Sequence, residues 1–198
     1  MTTAKDLFII AMDPKHSVGQ GDLSLTLAGA ELIDLIGAGA VALDGDRIVP
    51  DGPPTLDDRL MREAAAGLTR QAPYERIEDW LWRRGSDLSA TYQAALEEDG
   101  ELTPKRSGRL LFGSERMEPV DTSAHRRAAD RGREEPVLAA LASVIGVGVE
   151  RSEDEPGLDD EAVTTVVAVV HDAVMELEAV RQRRAIERAA FANVWRGP

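Results

Sequence analysis

Arg83 and Arg84 stand beside Trp82 and ahead of Gly85, Ser86 and Asp87, and of all the residues here they come nearest to a binding chemistry. Neighbouring guanidinium groups can hold a phosphate or carboxylate through bidentate, charge-assisted hydrogen bonds. Two arginines also suit the last turn of a helix, where cations complement the helix dipole, and that structural reading is the default. Trp80 and Trp82 could stack a base or sugar, but residues two apart on a helix point to different sides. One core and one surface tryptophan is the simpler assignment. Further basic groups occur at Lys105, Arg106 and Arg109, at Arg126, Arg127, Arg131 and Arg133, and at Arg181, Arg183, Arg184 and Arg188. All are interleaved with acids or spread around a helix, so a solvated face is expected for each.

Catalytic patterns are sparse. Glu31 and Asp34, three apart on one helix, could share a cation or a proton, but two carboxylates on an exposed seam ordinarily serve solvation. His16, His125 and His171 lie far apart with no zinc-ligand spacing, no G-x-S-x-G elbow occurs, and cysteine is absent. Thiolate metal sites, disulfides and cysteine nucleophiles are therefore excluded, and no metal or cofactor is expected. The run Gly37-Ala38-Gly39-Ala40-Val41-Ala42 fits G-x-G-x-x-A, but a helix precedes it and a strand follows. A dinucleotide site needs the reverse order, so that a helix N-terminus meets the pyrophosphate.

The formal charge of −13 makes the surface as a whole unfavourable for polyanions, so any contact with nucleic acid or anionic lipid requires a local basic patch. With 43% hydrophobic residues but only 4% aromatic, 198 residues can bury one core made mostly of aliphatic side chains, and a single domain over residues 1–198 is expected. Leu7 to Met12 is too short for a secretory apolar segment, and the thirteen uncharged residues from Val137 to Val149 are too few to cross a bilayer. The expected location is cytoplasmic, with peripheral membrane contact as an option.

The element around which the rest packs is Leu23 to Pro50. Leu25, Ala28, Leu32 and Leu35 recur at helical spacing, with Gly29, Ile33 and Ile36 beside them, interrupted only by Glu31 and Asp34. Gly37 and Gly39 stop the helix, and Val41, Leu43 and Ile48 alternate around Asp44-Gly45-Asp46, a hairpin signal. Before it, Thr3 to Ala11 reads as an apolar helix, and Asp22 or Ser24 can cap the central one. After it, helices are expected from Thr55, over Tyr74 to Arg84, and from Ser86 or Asp87 to a stop at Gly100. A second hairpin follows, Glu101 to Thr103 against Arg109 to Gly113. From Thr122 the chain reads helical: Ser123 to Arg133, Pro136 to Val147, then Leu158 to about Trp195 after an acidic connector. Val163, Val166, Val167, Val170, Val174 and Leu177 form the inner face of that last helix.

The chain resembles the Golgi phosphoprotein 3 family. Members place a helix of the form L-I-E-L-A-L-R-G ahead of a short R-L-x-L strand, matched here by Leu32, Ile33, Asp34, Leu35, Ile36 and Gly39, then Val41 and Leu43. The pattern continues in register through Ile77, Trp80 and Leu81, Tyr92-Gln93, Leu96 to Leu102, Leu110-Leu111-Phe112 and Pro119, and covers residues 5 to 195. The resemblance implies a mainly α fold, a helical bundle with two short β-hairpins. For eukaryotic members it implies a non-enzymatic peripheral-membrane adaptor that reads phosphatidylinositol 4-phosphate, and a hairpin that supports oligomers, here Lys105 to Arg116 with Arg109, Leu110, Leu111 and Phe112. The alanine, aspartate and arginine bias and the lack of cysteine suit a bacterial-type member.

The headgroup positions implied by the resemblance are a tryptophan before the central helix, an arginine near its start and two arginines at the start of the helix leading into the second hairpin. Here these are Gly19, Ala28, Ser86 and Ser89. Without them the family's charge-assisted bonds cannot form, which argues against phosphatidylinositol 4-phosphate itself as the ligand. A displaced anionic-headgroup site would use Lys15, His16, Arg83 and Arg84, which flank the replaced positions. The expected function is a non-enzymatic interaction module, with a protein partner, an anionic lipid headgroup and a second copy as the partners open to it. Two rivals stand beside it. A winged-helix nucleic-acid binder would need a basic recognition helix, yet Ser86 to Glu98 carries no lysine or arginine. An enzyme of unknown type would need converging titratable groups in a pocket.

Overall fold

The computed structural model describes residues 2–13, 15–52, 55–105, 116–119, 122–148 and 158–194. In chain order the elements are α1 (Thr3–Ala11), α2 (Gln20–Gly37), β1 (Val41–Asp44), β2 (Arg47–Pro50), α3 (Arg59–Ala66), α4 (Ile77–Arg84), α5 (Leu88–Glu98), β3 (Leu102–Lys105), β4 (Arg116–Pro119), α6 (Thr122–Glu134), α7 (Pro136–Val144) and α8 (Glu161–Val194). The expected mainly α fold with two short antiparallel strand pairs is the one observed, β1 against β2 and β3 against β4, but the return arm of the second pair is Arg116–Pro119, with Leu102 opposite Pro119, and not the expected Arg109 to Gly113. The oligomer residues Arg109, Leu110, Leu111 and Phe112, the basic Arg106, the acidic connector Glu150 to Gly157 and the expected helix end at Trp195 lie outside the described residues.

Every residue of α2 from Leu23 to Ile33 is buried, as is Leu35. A helix buried on all faces must be enclosed by others, and α1, α4, α5 and α8 surround this one. Close approach depends on small residues: a Cβ added to Gly29 would lie 2.3 Å from Cγ2 of Val170 on α8. Phe8 of α1 stacks on Tyr92 of α5 with ring centroids 6.1 Å apart, closing the core on another side.

Three helices end in the same way. At Gly39, Gly100 and Gly146 the backbone takes a positive φ of 65°, 73° and 74°. In each case the next amide reaches back to the carbonyl five residues earlier: Ala40 to Leu35, Glu101 to Leu96 and Val147 to Ala142. This Schellman stop satisfies carbonyls that the last helical turn would otherwise leave unpaired. It explains why helix, glycine and strand follow one another twice, at β1 and at β3.

Helix starts depart further from expectation. α2 begins at Gln20 with Gly19 in the capping position and no side-chain cap bond. Neither expected cap is available, because Asp22 is held by Arg181 and Ser24 is turned to Ser89. α3 begins at Arg59, capped by Asp58, whose carboxylate accepts from the Met61 amide at 3.1 Å. α4 begins at Ile77 rather than Tyr74, because the preceding segment docks on the hairpin: Ile48 N–H donates to the Glu75 carbonyl and Ile77 N–H to that of Asp46. Asp87 precedes α5 in the left-handed region, φ 55°, and its carboxylate accepts no capping hydrogen bond. At α8 the expected acids do serve, with Asp160 accepting from the amides of Ala162 and Val163.

Candidate functional site

The end of α4, the turn at 85–87, the start of α5 and the first turns of α2 meet, with α8 alongside. Ser24 Oγ donates to Ser89 Oγ at 2.9 Å and accepts from the Ser89 amide at 3.0 Å, tying α2 to α5 inside the core. Gly85 lets α4 end against α2, since a Cβ there would meet the Leu81 carbonyl at 2.5 Å and Leu25 Cα at 3.3 Å. From α8, Arg181 Nη1 donates to both carboxylate oxygens of Asp22, at 2.6 and 2.7 Å.

Glu31 is the charged centre of this region and is fully buried, not placed on an exposed seam. Burying a carboxylate without partners is costly, and this one has both oxygens occupied. Arg84 donates from Nε to Oε2 at 2.7 Å and from Nη2 to Oε1 at 2.8 Å, and Tyr92 OH donates to Oε1 at 3.2 Å. With three hydrogen bonds and no exposed surface, the carboxylate is placed as an ion-pair partner inside the core. Asp34 is likewise not a solvation group: its two oxygens accept from the amides of Thr3 and Ala4 at 3.1 and 3.2 Å, capping α1 from a different helix. The two carboxylates are thus turned to separate partners, Glu31 to Arg84 and Tyr92 and Asp34 to the amides of α1.

Arg83 is also paired, although it lies at the surface. Its guanidinium makes a bidentate pair with Glu75 at 2.6 and 2.7 Å, donates to the Gly67 carbonyl at 3.0 Å and lies 5.2 Å from the centre of the Trp80 ring. Trp80 is the core tryptophan and Trp82, 37% exposed, the surface one. Lys15 is exposed and His16 half-buried, in the turn after α1, where their amides donate to Asp13. No hydrogen bond or ion pair among the described residues joins them to Arg83 or Arg84. Of the replaced headgroup positions, Gly19 and Ser86 are exposed, whereas Ser89 and Ala28 are buried. Ala28 also offers its carbonyl to Trp80 Nε1 at 3.1 Å. The expected solvated faces fail at two arginines: Arg181 binds Asp22, and Arg131 pairs with Glu135 and with Asp6, a carboxylate 1% exposed.

Sequence reasoning missed the Glu31, Arg84 and Tyr92 cluster. The available signal was a single glutamate inside an otherwise apolar stripe, a position that demands a buried cation. Among the described residues no group of histidine, aspartate and glutamate is placed to hold a metal ion, and no helix is long and apolar enough to cross a membrane.

Burial raises the carboxyl pKa of Glu31 above the ordinary glutamate value, outweighing the Arg84 and Tyr92 hydrogen bonds. It raises Asp34 against the bonds from Thr3 and Ala4, and Asp6 against Arg131. A carboxyl with a raised folded value holds extra protons in the folded state. Its contribution to stability is full below the unfolded value and is lost as pH rises through the folded one. Asp58 runs the other way: although burial raises it, the Lys5 hydrogen bond and the Met61 amide hold it lower, so its contribution is lost on acidification. Asp34→Asn should therefore gain stability relative to the parent as pH rises from the unfolded aspartate value through the raised folded one, because the substitution removes one of the declines. Urea midpoints across that range check this; a difference that stays constant or moves the other way contradicts the assignment.

Comparison with known proteins gives one family: the sequence pattern described as Golgi phosphoprotein 3 (GPP34) matches residues 4–196. No curated protein matches the chain.

Proposed function

Because the chain belongs to the Golgi phosphoprotein 3 (GPP34) family, we propose that it is a non-enzymatic protein-interaction module that does not hold a phosphoinositide headgroup in the manner the family resemblance implies. One observation carries this reading: the two arginines nearest the replaced headgroup positions already hold carboxylates of this chain, Arg84 the buried Glu31 and Arg83, on the surface, Glu75. Releasing Arg84 to a phosphate would leave an unpaired carboxylate in the core, which is strongly unfavourable. Lys15 and His16 then stand without the second pair of cations that a phosphomonoester needs for bidentate recognition. The two carboxylates are structural: buried Glu31 fixes α4 and α5 on α2, and half-buried Asp34 caps α1. A nucleic-acid role is disfavoured by α5, which ends in Glu97-Glu98 and carries no basic residue.

Liposome co-sedimentation tests the reading. Vesicles containing phosphatidylinositol 4-phosphate should bind no better than phosphatidylserine vesicles of equal charge, and Lys15→Glu with His16→Glu should change neither. A preference for the phosphoinositide that disappears in this double variant overturns the proposal. Both residues lie in a surface turn, so the variant retains the fold.

A further inference from the structure

The face of α8 that packs on the body runs through Val163, Val166, Val170, Val174, Leu177 and Arg181, each three or four residues after the last. Such steps keep side chains on one face of a helix. The four valines are buried, Leu177 is half-buried, and Arg181 reaches Asp22 at the start of α2. The same steps continue through Arg184, Arg188 and Phe191, yet every residue from Gln182 to Phe191 is exposed. α8 runs antiparallel to α2, with Val170 against Gly29 and Leu177 against Gly21. Past Arg181 it therefore extends beyond the start of α2, and at about 1.5 Å per residue Phe191 lies roughly 15 Å further on. The seam that buries valine inside the body emerges from it as arginine, arginine and phenylalanine.

This emergent seam has the opposite charge to the chain that carries it. The protein is −13 overall, while residues 182–191 hold three arginines against one glutamate. The side chains of Arg183, Arg184 and Arg188 make no hydrogen bond or ion pair among the described residues. Phe191 is 72% exposed and Ile186 70% exposed.

We infer that the Arg184, Arg188 and Phe191 face of α8 docks an acidic helix of a partner protein. The inference rests on the reading of the chain as an interaction module and adds the chemistry of the partner. Steps of four and three residues form the seam along which two helices pack, so a helix is the complementary shape. Guanidinium groups one turn apart match carboxylates one turn apart, and their planar donors bind carboxylate in pairs. Phe191 ends the seam with an aromatic anchor.

Other occupants fit less well. A second copy would set arginine against arginine if the seams paired symmetrically. A bilayer needs a continuous apolar face, but Ile186 and Phe191 stand about 140° apart around the helix. The acidic remainder of the surface would also be repelled by anionic lipid.

The test uses the full chain and a labelled synthetic helical peptide of about 20 residues with glutamate at four-residue spacing and leucine between. Anisotropy should report binding that weakens as salt is raised, and about tenfold loss of affinity in Arg184→Glu with Arg188→Glu. Phe191→Ala should weaken it separately, and a peptide with lysine in place of glutamate should not bind. All three substitutions are at exposed positions, and circular dichroism verifies that the fold is retained. Equal binding by parent and double variant, or none by the parent, overturns the inference. Binding to phosphatidylserine vesicles that the double variant abolishes also overturns it, in favour of a membrane. A phosphatidylinositol 4-phosphate preference that survives Arg184→Glu with Arg188→Glu instead overturns the broader module reading.

Discussion

Arg84→Ala should lower the free energy of unfolding by about 3–5 kcal/mol at neutral pH, the range for breaking a buried ion pair from one side. Glu31 is fully buried, and removing Arg84 leaves its carboxylate with the Tyr92 hydroxyl alone. The carboxyl pKa, already raised by burial, must then rise further. The sign of the pH dependence follows. Below the unfolded glutamate value the carboxyl is neutral in both states and the deficit largely vanishes; above it the deficit grows as pH rises through the folded value.

The reverse truncation should cost less. Arg84 retains 18% side-chain exposure, so in Glu31→Ala its guanidinium can turn toward water. Replacing both partners by apolar groups, Glu31→Leu with Arg84→Met, should restore most of the loss, because neither charge remains to be desolvated. Urea unfolding followed by circular dichroism, at neutral pH and again near the unfolded glutamate value, measures all four proteins. A loss in Arg84→Ala below about 1 kcal/mol, as expected of a surface pair, would mean that Glu31 is not sequestered as described.

This cluster also marks where sequence reading works and where it does not. Apolar spacing locates α2 and its inner residues, and glycine after a periodic run locates the stops at Gly39 and Gly100, because both signals are local. Pro136 is legible at the first turn of α7 for the same reason. What fails is pairing over long separations. Asp22 looks like a cap until Arg181, on the far side of the chain, takes it; Ser24 looks like a cap until Ser89 does. Glu31 and Asp34 look like an exposed seam because periodicity alone assigns polar residues outward, while their partners come from α4, α5 and the start of α1. The start of α4 is missed because a hairpin-docked stretch and a first helical turn read alike. Local chemistry is visible residue by residue, whereas the destination of a buried charge depends on tertiary placement.

The same dependence of a short element on a distant anchor sets the second large effect. Trp80→Ala should destabilise the protein by about 3–5 kcal/mol, the range for emptying a large aromatic site in a core. Trp80 is 0% exposed, donates its indole N–H to the Ala28 carbonyl at 3.1 Å, and supports the Arg83 guanidinium on its ring. α4 has only eight residues, and a helix that short is marginal in water, so tertiary anchoring holds it. Trp80 fixes one side of it to α2, and Arg84 fixes the end. Trp80→Phe should cost less, since an aromatic ring still fills most of the site while the indole hydrogen bond is lost.

The two variants separate packing from hydrogen bonding through their unfolding free energies. Amide hydrogen exchange adds a local reading: in Trp80→Ala, protection should fall most across Ile77–Arg84, beyond the fall in global stability. A uniform loss of protection through α2, α4 and α8 would show instead that α4 belongs to one cooperative unit with the core. A destabilisation below about 2 kcal/mol would mean that the site collapses around the missing ring. In either case Arg83 keeps its pair with Glu75, so any change confined to the α4 surface must come from the ring and not from the charge.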